Sequence, residues 1–525
     1  MKIQFSKSIL AGLLAGAYSI AADAQSPRIV VGITVDQLRT DYLEQLLPYF
    51  GSEGFSRLMK EGVYMPDVDF RHTADDEQAG VAVVYTGAWP VANGVASAEK
   101  FDSQLKRNVP TLAADPSRIK YDFSPEGVRL STLADEFAIT NGNLAKVYSL
   151  SADPQTATIA AGHAGNAAIF LDETTGRWTT PAYYGALPPV VANKNRTSPV
   201  GSKMASTVWR PLNGASTYPM GRVWNPADFS YGFSGAGRDT YLKFKGSAPF
   251  NTELTDAALD ILKSLQNSSG QSAMLNISFS LAPIGFDSDG DSRPELVDAY
   301  VRLDADLGRL ISALEKQYGK ENTYIFLSST GYAREPEIPE GNARIPTGEI
   351  TLKKAESLLN SYLSASYGNG DYVVLIKNGK LYLDAALAEK KGIDIRKLRQ
   401  ETKQFLMKMG GVSEAFTIDE VAGGESRRAQ ELALGIDPKN APDIFLYFTP
   451  GWTVTDDNSY PSTSKKVRLA SPATPAFLFG GDVAPETVTA TVEATALAPT
   501  IATAINIRAP NGAAAKPIAV NSGKR

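Results

Sequence analysis

The stretch HTADDEQAGVAVVYTGAWPVANGV, residues 72 to 95, places Asp75, Asp76 and Glu77 directly ahead of an apolar run that closes on a glycine turn. Grouped carboxylates are the ligands that hard cations such as Mg²⁺ and Ca²⁺ take; the plainer alternative is a solvated acidic loop. A second acidic stretch, DSDGDSRPELVD at 287 to 298, sets Asp287, Asp289, Asp291 and Asp298 at the first, third, fifth and twelfth places of a calcium-type loop with a helix after it. Ser292 stands where that loop wants glycine and its twelfth place is Asp rather than Glu, so a polar surface loop is the preferred reading. Imidazole and thiol chemistry is scarce. The chain has two histidines and no cysteine, so neither a multi-histidine zinc centre nor a disulfide can be assembled. His163, in AAGHAG, reads as a structural, hydrogen-bonded histidine, and His72 has no identifiable partner. Ser328 and Ser329 end an apolar strand, and no His-plus-acid set accompanies them.

The elements that must position these groups alternate. RIVVGITVD (28–36), AKVYSL (145–150), AMLNISFS (273–280), TYIFLSS (323–329), DIFLYF (443–448) and AFLFGG (476–481) are near-continuous apolar runs, as a sheet covered on both faces requires. Between them, residues 296–317 repeat Tyr300, Leu303, Leu307, Leu310 and Leu314 at helical spacing. The expected fold class is α/β, a mostly parallel sheet with helices on both faces. Ligands of such a sheet gather at the carboxyl ends of its strands. Residues 174–252, rich in Pro, Gly and aromatics, read as an irregular cap, and 333–440 as a smaller α/β insertion with a hairpin at Asn378-Gly379. The cap aromatics Trp178, Tyr183, Tyr184, Trp209, Tyr218 and Trp224 either pack the cap down or form a binding surface.

Lys2 and Lys7, the apolar stretch Ile9 to Ala22 and the Ala22-Asp23-Ala24 pattern form a secretory leader, expected to span residues 1–24, with a mature domain over 25–520 and a tail at 521–525. That predicts a periplasmic or secreted protein with no transmembrane segment after cleavage. A net charge of -5 gives no electrostatic case for nucleic acid.

In order and spacing, GITVDQLRTDYL (32–43), VYTGAWPVANGV (84–95), AAGHAGNAAIFLDETTGRWTTPAYYGALP (160–188), NISFS (276–280), VRLDADLGRLISALE (301–315), IFLSS (325–329), LYFTPGW (446–452) and TALAPTIATAINIRAPNGAAAKPI (495–518) resemble the alkaline phosphatase superfamily. The branch resembled is that of the phosphate-irrepressible alkaline phosphatases and the nucleotide pyrophosphatase/phosphodiesterases. The resemblance implies a two-zinc phosphoryl-transfer site with a Thr or Ser nucleophile. Followed residue by residue, the first aspartate ligand is kept as Asp36, while the nucleophile position holds Glu77 and its neighbouring histidine position Val81. The phosphate-clamping Lys and Arg fall at Asp153 and Gln155, and the phosphate-contacting Asn near Ala98. The Asp-x-x-x-His after SFS becomes Ala282 and Phe286, the Asp-His-Gly after FLSS becomes Thr330, Gly331 and Tyr332, and the last histidine falls at Ala473.

The expected function is therefore that of a catalytically inactive relative, a binding or structural subunit in the bacterial cell envelope whose partner is another envelope protein. Its remnant site is expected at Asp36, Asp75, Asp76, Glu77, Asp153 and Thr330. No cofactor is expected, with Mg²⁺ or Ca²⁺ as the alternative and zinc set aside, because two cations side by side repel each other strongly and need dense anionic ligands. Two further readings stand beside it: a phosphate- or sulfate-ester hydrolase with a rebuilt carboxylate metal site, and a glycan or lipid-headgroup binder using the cap aromatics.

Overall fold

Five of the six apolar runs assemble side by side into one sheet, and their burial explains why alternation is missing from their sequences. The computed structural model describes residues 27–71, 76–214, 229–265, 271–281, 293–331, 347–458, 463–467 and 472–521. The main sheet comprises β1 (Ile29–Asp36), β2 (Val63–Met65), β3 (Lys146–Ser151), β4 (Ala167–Asp172), β5 (Arg177–Thr179), β6 (Ala273–Ser280), β7 (Thr323–Ser329), β8 (Ala476–Gly480) and β9 (Glu486–Thr487). Their order is β9-β2-β8-β7-β1-β6-β3-β4-β5. The central strands β7, β1, β6, β3 and β4 run parallel, while β8 lies antiparallel to β7. The expected mostly parallel α/β sheet is what the chain forms.

Every residue of β1 and β7 is buried. Val31, Ile33 and Val35 of β1 point into one apolar layer with Leu303, Leu307 and Leu310, while Val30 points into the other with Val83 and Tyr85. Burial of each such side chain contributes roughly 1.5–3 kcal/mol, so β1 is pinned between two cores. The helix expected at 296–317 spans Arg293–Tyr318.

The run at 443–448, grouped with the main sheet from sequence, instead gives Ile444–Phe448 to a separate four-stranded sheet. There it pairs antiparallel with Lys380–Leu383 and Val412–Thr417. Its last two residues are only partly buried, so apolar composition alone could not say which sheet it joins. The hairpin forms where expected, with Asn378 at φ 49° and Gly379 at φ 72°, the left-handed pair that a two-residue turn needs.

The cap is fastened by packing and by charge. Trp178 and Trp209 are among the largest fully buried side chains, whereas Tyr183 is 45% exposed; Tyr218 and Trp224 lie outside the described residues. Asp298, with 0% exposure, accepts from the Trp209 indole N–H at 2.6 Å, the Leu212 amide at 2.7 Å and Arg302 Nε at 2.6 Å. Any cation at Asp298 would compete with all three donors, so the twelfth residue of the calcium-type pattern serves as a cap anchor. Its companions Asp287, Asp289 and Asp291 lie outside the described residues, as do the leader at 1–24 and the tail at 522–525. Among the described residues no helix is long and apolar enough to cross a membrane.

Candidate functional site

Three strand ends and two helix starts meet at the carboxyl edge of the sheet. β1 ends on Asp36, which is 8% exposed and stands in register with Ser280 at the end of β6. Thr330, directly after β7, donates its hydroxyl to Asp36 Oδ1 at 3.1 Å. The turn that follows Asp36 is strained: Gln37 has φ 66°, a conformation costing about 1–2 kcal/mol for a residue with a side chain. Tyr300, fully buried, holds it there by donating its hydroxyl to the Gln37 carbonyl at 3.0 Å and accepting from the Arg39 amide at 2.9 Å.

The first helix of the site, α1 (Glu77–Thr86), starts against β7. A Cβ on Gly80 would lie 1.8 Å from the Thr330 carbonyl oxygen, so only glycine lets the helix approach so closely. Asp76 caps it, with one oxygen accepting from the Ala79 amide at 3.1 Å and the other from the Ala98 amide at 2.7 Å. The second helix, α2 (Pro154–Ala161), is capped in the same way by Asp153, which accepts from the Thr156 amide at 2.9 Å. Gln78 donates to Thr156 Oγ1 at 3.3 Å and ties the two helix starts together. Gln155 is occupied elsewhere, accepting from the Leu112 amide at 2.9 Å and donating to the Ala98 carbonyl at 3.0 Å.

Glu77 sits among these acids. Removal from water raises its carboxyl well above the usual carboxylate range, Asp36 and then Asp153 raise it further, and a hydrogen bond from Thr156 opposes them only in part. The nearby cation is one that sequence reasoning missed. Lys245 ends the cap helix α3 (Arg238–Lys245) and feels Asp153, Glu173, Asp172 and Glu77, although its own burial outweighs them and lowers its ammonium below the usual lysine range. No motif marks Lys245, because a cap residue reaches the strand ends only through the fold.

Of the expected remnant residues, the structure brings together Asp36, Asp76, Glu77, Asp153 and Thr330. Asp75 and His72 lie outside the described residues. Val81, where the resemblance implies a histidine, is fully buried in the core, and Ala473 is exposed and gives its carbonyl to the Thr40 amide. Ala282, Phe286 and Tyr332 are outside the described residues. Among the described residues Asp76 and Asp153 serve as helix caps, Asp36 accepts from Thr330, and no group of three or more His, Cys, Asp or Glu is arranged around a metal position.

The chain is similar to two enzymes named as alkaline phosphatases. One is PhoV of Synechococcus elongatus, 26% identical over 94% of this chain and 92% of that protein. The other is PafA of Elizabethkingia meningoseptica, 24% identical over 94% of each. A protein of Myroides odoratus named as a calcium-transporting ATPase is 26% identical over the same shares. The fold matches the crystal structure of wild-type PafA with a TM-score of 0.79 at 22% identity, covering 94% of this chain and 98% of that one. These matches correct the expectation of no cofactor. Alkaline phosphatases are the class for which the resemblance implies a two-metal site, so a relative of metal-dependent enzymes is not to be read as cofactor-free, nor zinc set aside, from its own altered ligands. The family model described as type I phosphodiesterase / nucleotide pyrophosphatase matches residues 30–471, and the chain belongs to that family, within the alkaline phosphatase superfamily.

Proposed function

We propose that this protein binds a ligand or partner at the acid cluster of its strand ends and does not transfer a phosphoryl group through a hydroxyl nucleophile. It would act after export, as an accessory or structural component of the bacterial envelope. The observation that carries this reading is Glu77. It occupies the first turn of α1, where the resemblance implies a Thr or Ser, and loss of hydration, followed by Asp36 and Asp153, holds its carboxyl above the usual range. A protonated carboxyl donates a hydrogen bond but is a poor nucleophile. In its ionised form, acyl-phosphate chemistry on carboxylates has precedent in other enzymes, yet here the three acids repel an incoming phosphate dianion. The cations that clamp phosphate in the resembled enzymes are replaced by Asp153 and Gln155, and both side chains are engaged in local hydrogen bonds.

The test is turnover of aryl phosphates, phosphodiesters and sulfate esters by the purified mature chain with zinc or magnesium added. No rate above buffer is expected for any of them. Hydrolysis that Asp36→Ala abolishes would overturn the proposal and reinstate an ester hydrolase built on the carboxylates.

A further inference from the structure

The AAGHAG segment, away from the acid cluster, holds one of the chain's two histidines in a setting with a definite protonation state. His163 Nδ1 lies 3.0 Å from Asp135 Oδ2, and its Nε2 lies 3.0 Å from the Val128 carbonyl oxygen. A carbonyl can only accept. Asp135 is committed to accepting as well: it is 3% exposed and receives the Thr132 amide at 2.8 Å, the Thr132 hydroxyl at 3.0 Å and the Ala164 amide at 2.7 Å. Those donors keep it ionised, and its carboxyl stands below the usual range, with His163 the largest favourable cause against its burial. Both ring nitrogens therefore face acceptors, and only the imidazolium satisfies both. A neutral ring of either tautomer would turn a lone pair toward an oxygen 3.0 Å away.

The same spot joins three parts of the molecule. Thr132 and Asp135 form the capping box of the helix Leu133–Asn141. Gly162 ends α2 at φ 66°, pressed so closely on this box that a Cβ would lie 2.4 Å from Thr132 Oγ1 and 2.7 Å from Asp135 Oδ1. Two cap tyrosines complete it, with Tyr184 donating to the Gly162 carbonyl at 2.7 Å and Tyr183 to the His163 carbonyl at 3.2 Å. The titratable groups at this spot are Asp135 from the helix, against the ring, and Tyr183 and Tyr184 from the cap, with Glu126, from the segment before Val128, acting on Tyr183.

We propose that His163 is a pH-sensitive latch: as an imidazolium it fastens the end of α2 and the cap to the helix Leu133–Asn141, and its deprotonation in alkaline solution releases them. Its ring holds its proton above the usual imidazole value of about 6.5, mainly through Asp135. A histidine raised in this way stabilises the folded chain fully below its unfolded value, and the contribution is lost as pH rises through its folded value. Because α2 carries Asp153 at its other end and Thr156 in its first turn, release would also disturb the acid cluster.

The experiment is imidazole nitrogen NMR on the mature chain, with His72→Asn identifying the His163 signal. A doubly protonated ring at pH 6 and a midpoint clearly above 6.5 are expected, with the Ala164 amide losing exchange protection through the same midpoint. A single N–H at pH 6, or a midpoint at or below 6.5, would overturn the latch. His163→Gln should lower Tm at pH 6 but much less at pH 9. The titration of the unmodified chain decides the matter even where that variant fails to fold, and an equal loss of Tm at both pH values would also count against the proposal.

Discussion

Asp298 is fully buried and Glu77 partly so, yet one acid is surrounded by donors and the other by like charge. Asp298 lies at the seam of cap and core with an indole, an amide and a guanidinium directed at it. Glu77 lies at the strand ends with Asp36, Asp76 and Asp153 around it and the Thr156 hydroxyl as its hydrogen-bond donor. Folding alone selects the first arrangement, because a buried charge must be paired. It does not select the second, and electrostatic conflict retained at the carboxyl edge of a sheet is what makes these acids a candidate site. The strand ends and the cap seam therefore answer to different demands.

Removing the satisfied acid has the largest expected effect. Asp298→Ala leaves the Trp209 and Leu212 donors and Arg302 without their shared acceptor and is expected to cost about 3–5 kcal/mol. Denaturant unfolding should show it, together with a red shift of tryptophan emission as Trp209 meets water. An unchanged midpoint would remove Asp298 from its place as the cap anchor. Next comes the contact that seats Glu77. Gly80→Ala sets a methyl group 1.8 Å from the Thr330 carbonyl oxygen, and a forced shift of this kind costs roughly 1–3 kcal/mol, read as a fall in Tm.

Glu77→Gln sharpens the comparison because its sign is opposite. A glutamate whose proton is held more tightly in the folded chain adds nothing unfavourable below its unfolded pKa, and it costs stability as pH rises through its folded value. The amide is therefore expected to raise Tm at pH 8, because it carries no charge to be desolvated or repelled by Asp36 and Asp153, and to change Tm little near pH 4. A loss of Tm at pH 8 would mean that the charge at position 77 is compensated. The smallest effect belongs to the hairpin of the inserted sheet, far from either acid. Gly379→Ala at φ 72° is expected to cost about 1 kcal/mol and leave the pH dependence unaltered, which thermal unfolding at two pH values checks.

Much of the scaffold was legible in the sequence. The runs at 273–280 and 323–329 are strands over the same residues, because strands covered on both faces must be apolar throughout. The long helix was legible from its spacing, and the hairpin from Asn378-Gly379. The run at 443–448 was not assignable, since apolar residues fill either sheet equally well. At the site, Asp36, Glu77, Asp153 and Thr330 could be named by resemblance and Asp76 from its acidic stretch, but Lys245 and the employment of Asp298 as a cap anchor could not.

By itself the sequence determined the chemical inventory: two histidines, no cysteine, carboxylates where cations or hydroxyls were implied, and strands apolar enough to lie at the centre of a sheet. Only the tertiary structure decided which of these groups meet. Thr330 reaches Asp36 across 294 residues of chain, and Trp209 reaches Asp298 across 89. Such meetings depend on strand order and register, fixed by packing over the whole core, whereas composition and local spacing carry information only about a residue's near neighbours.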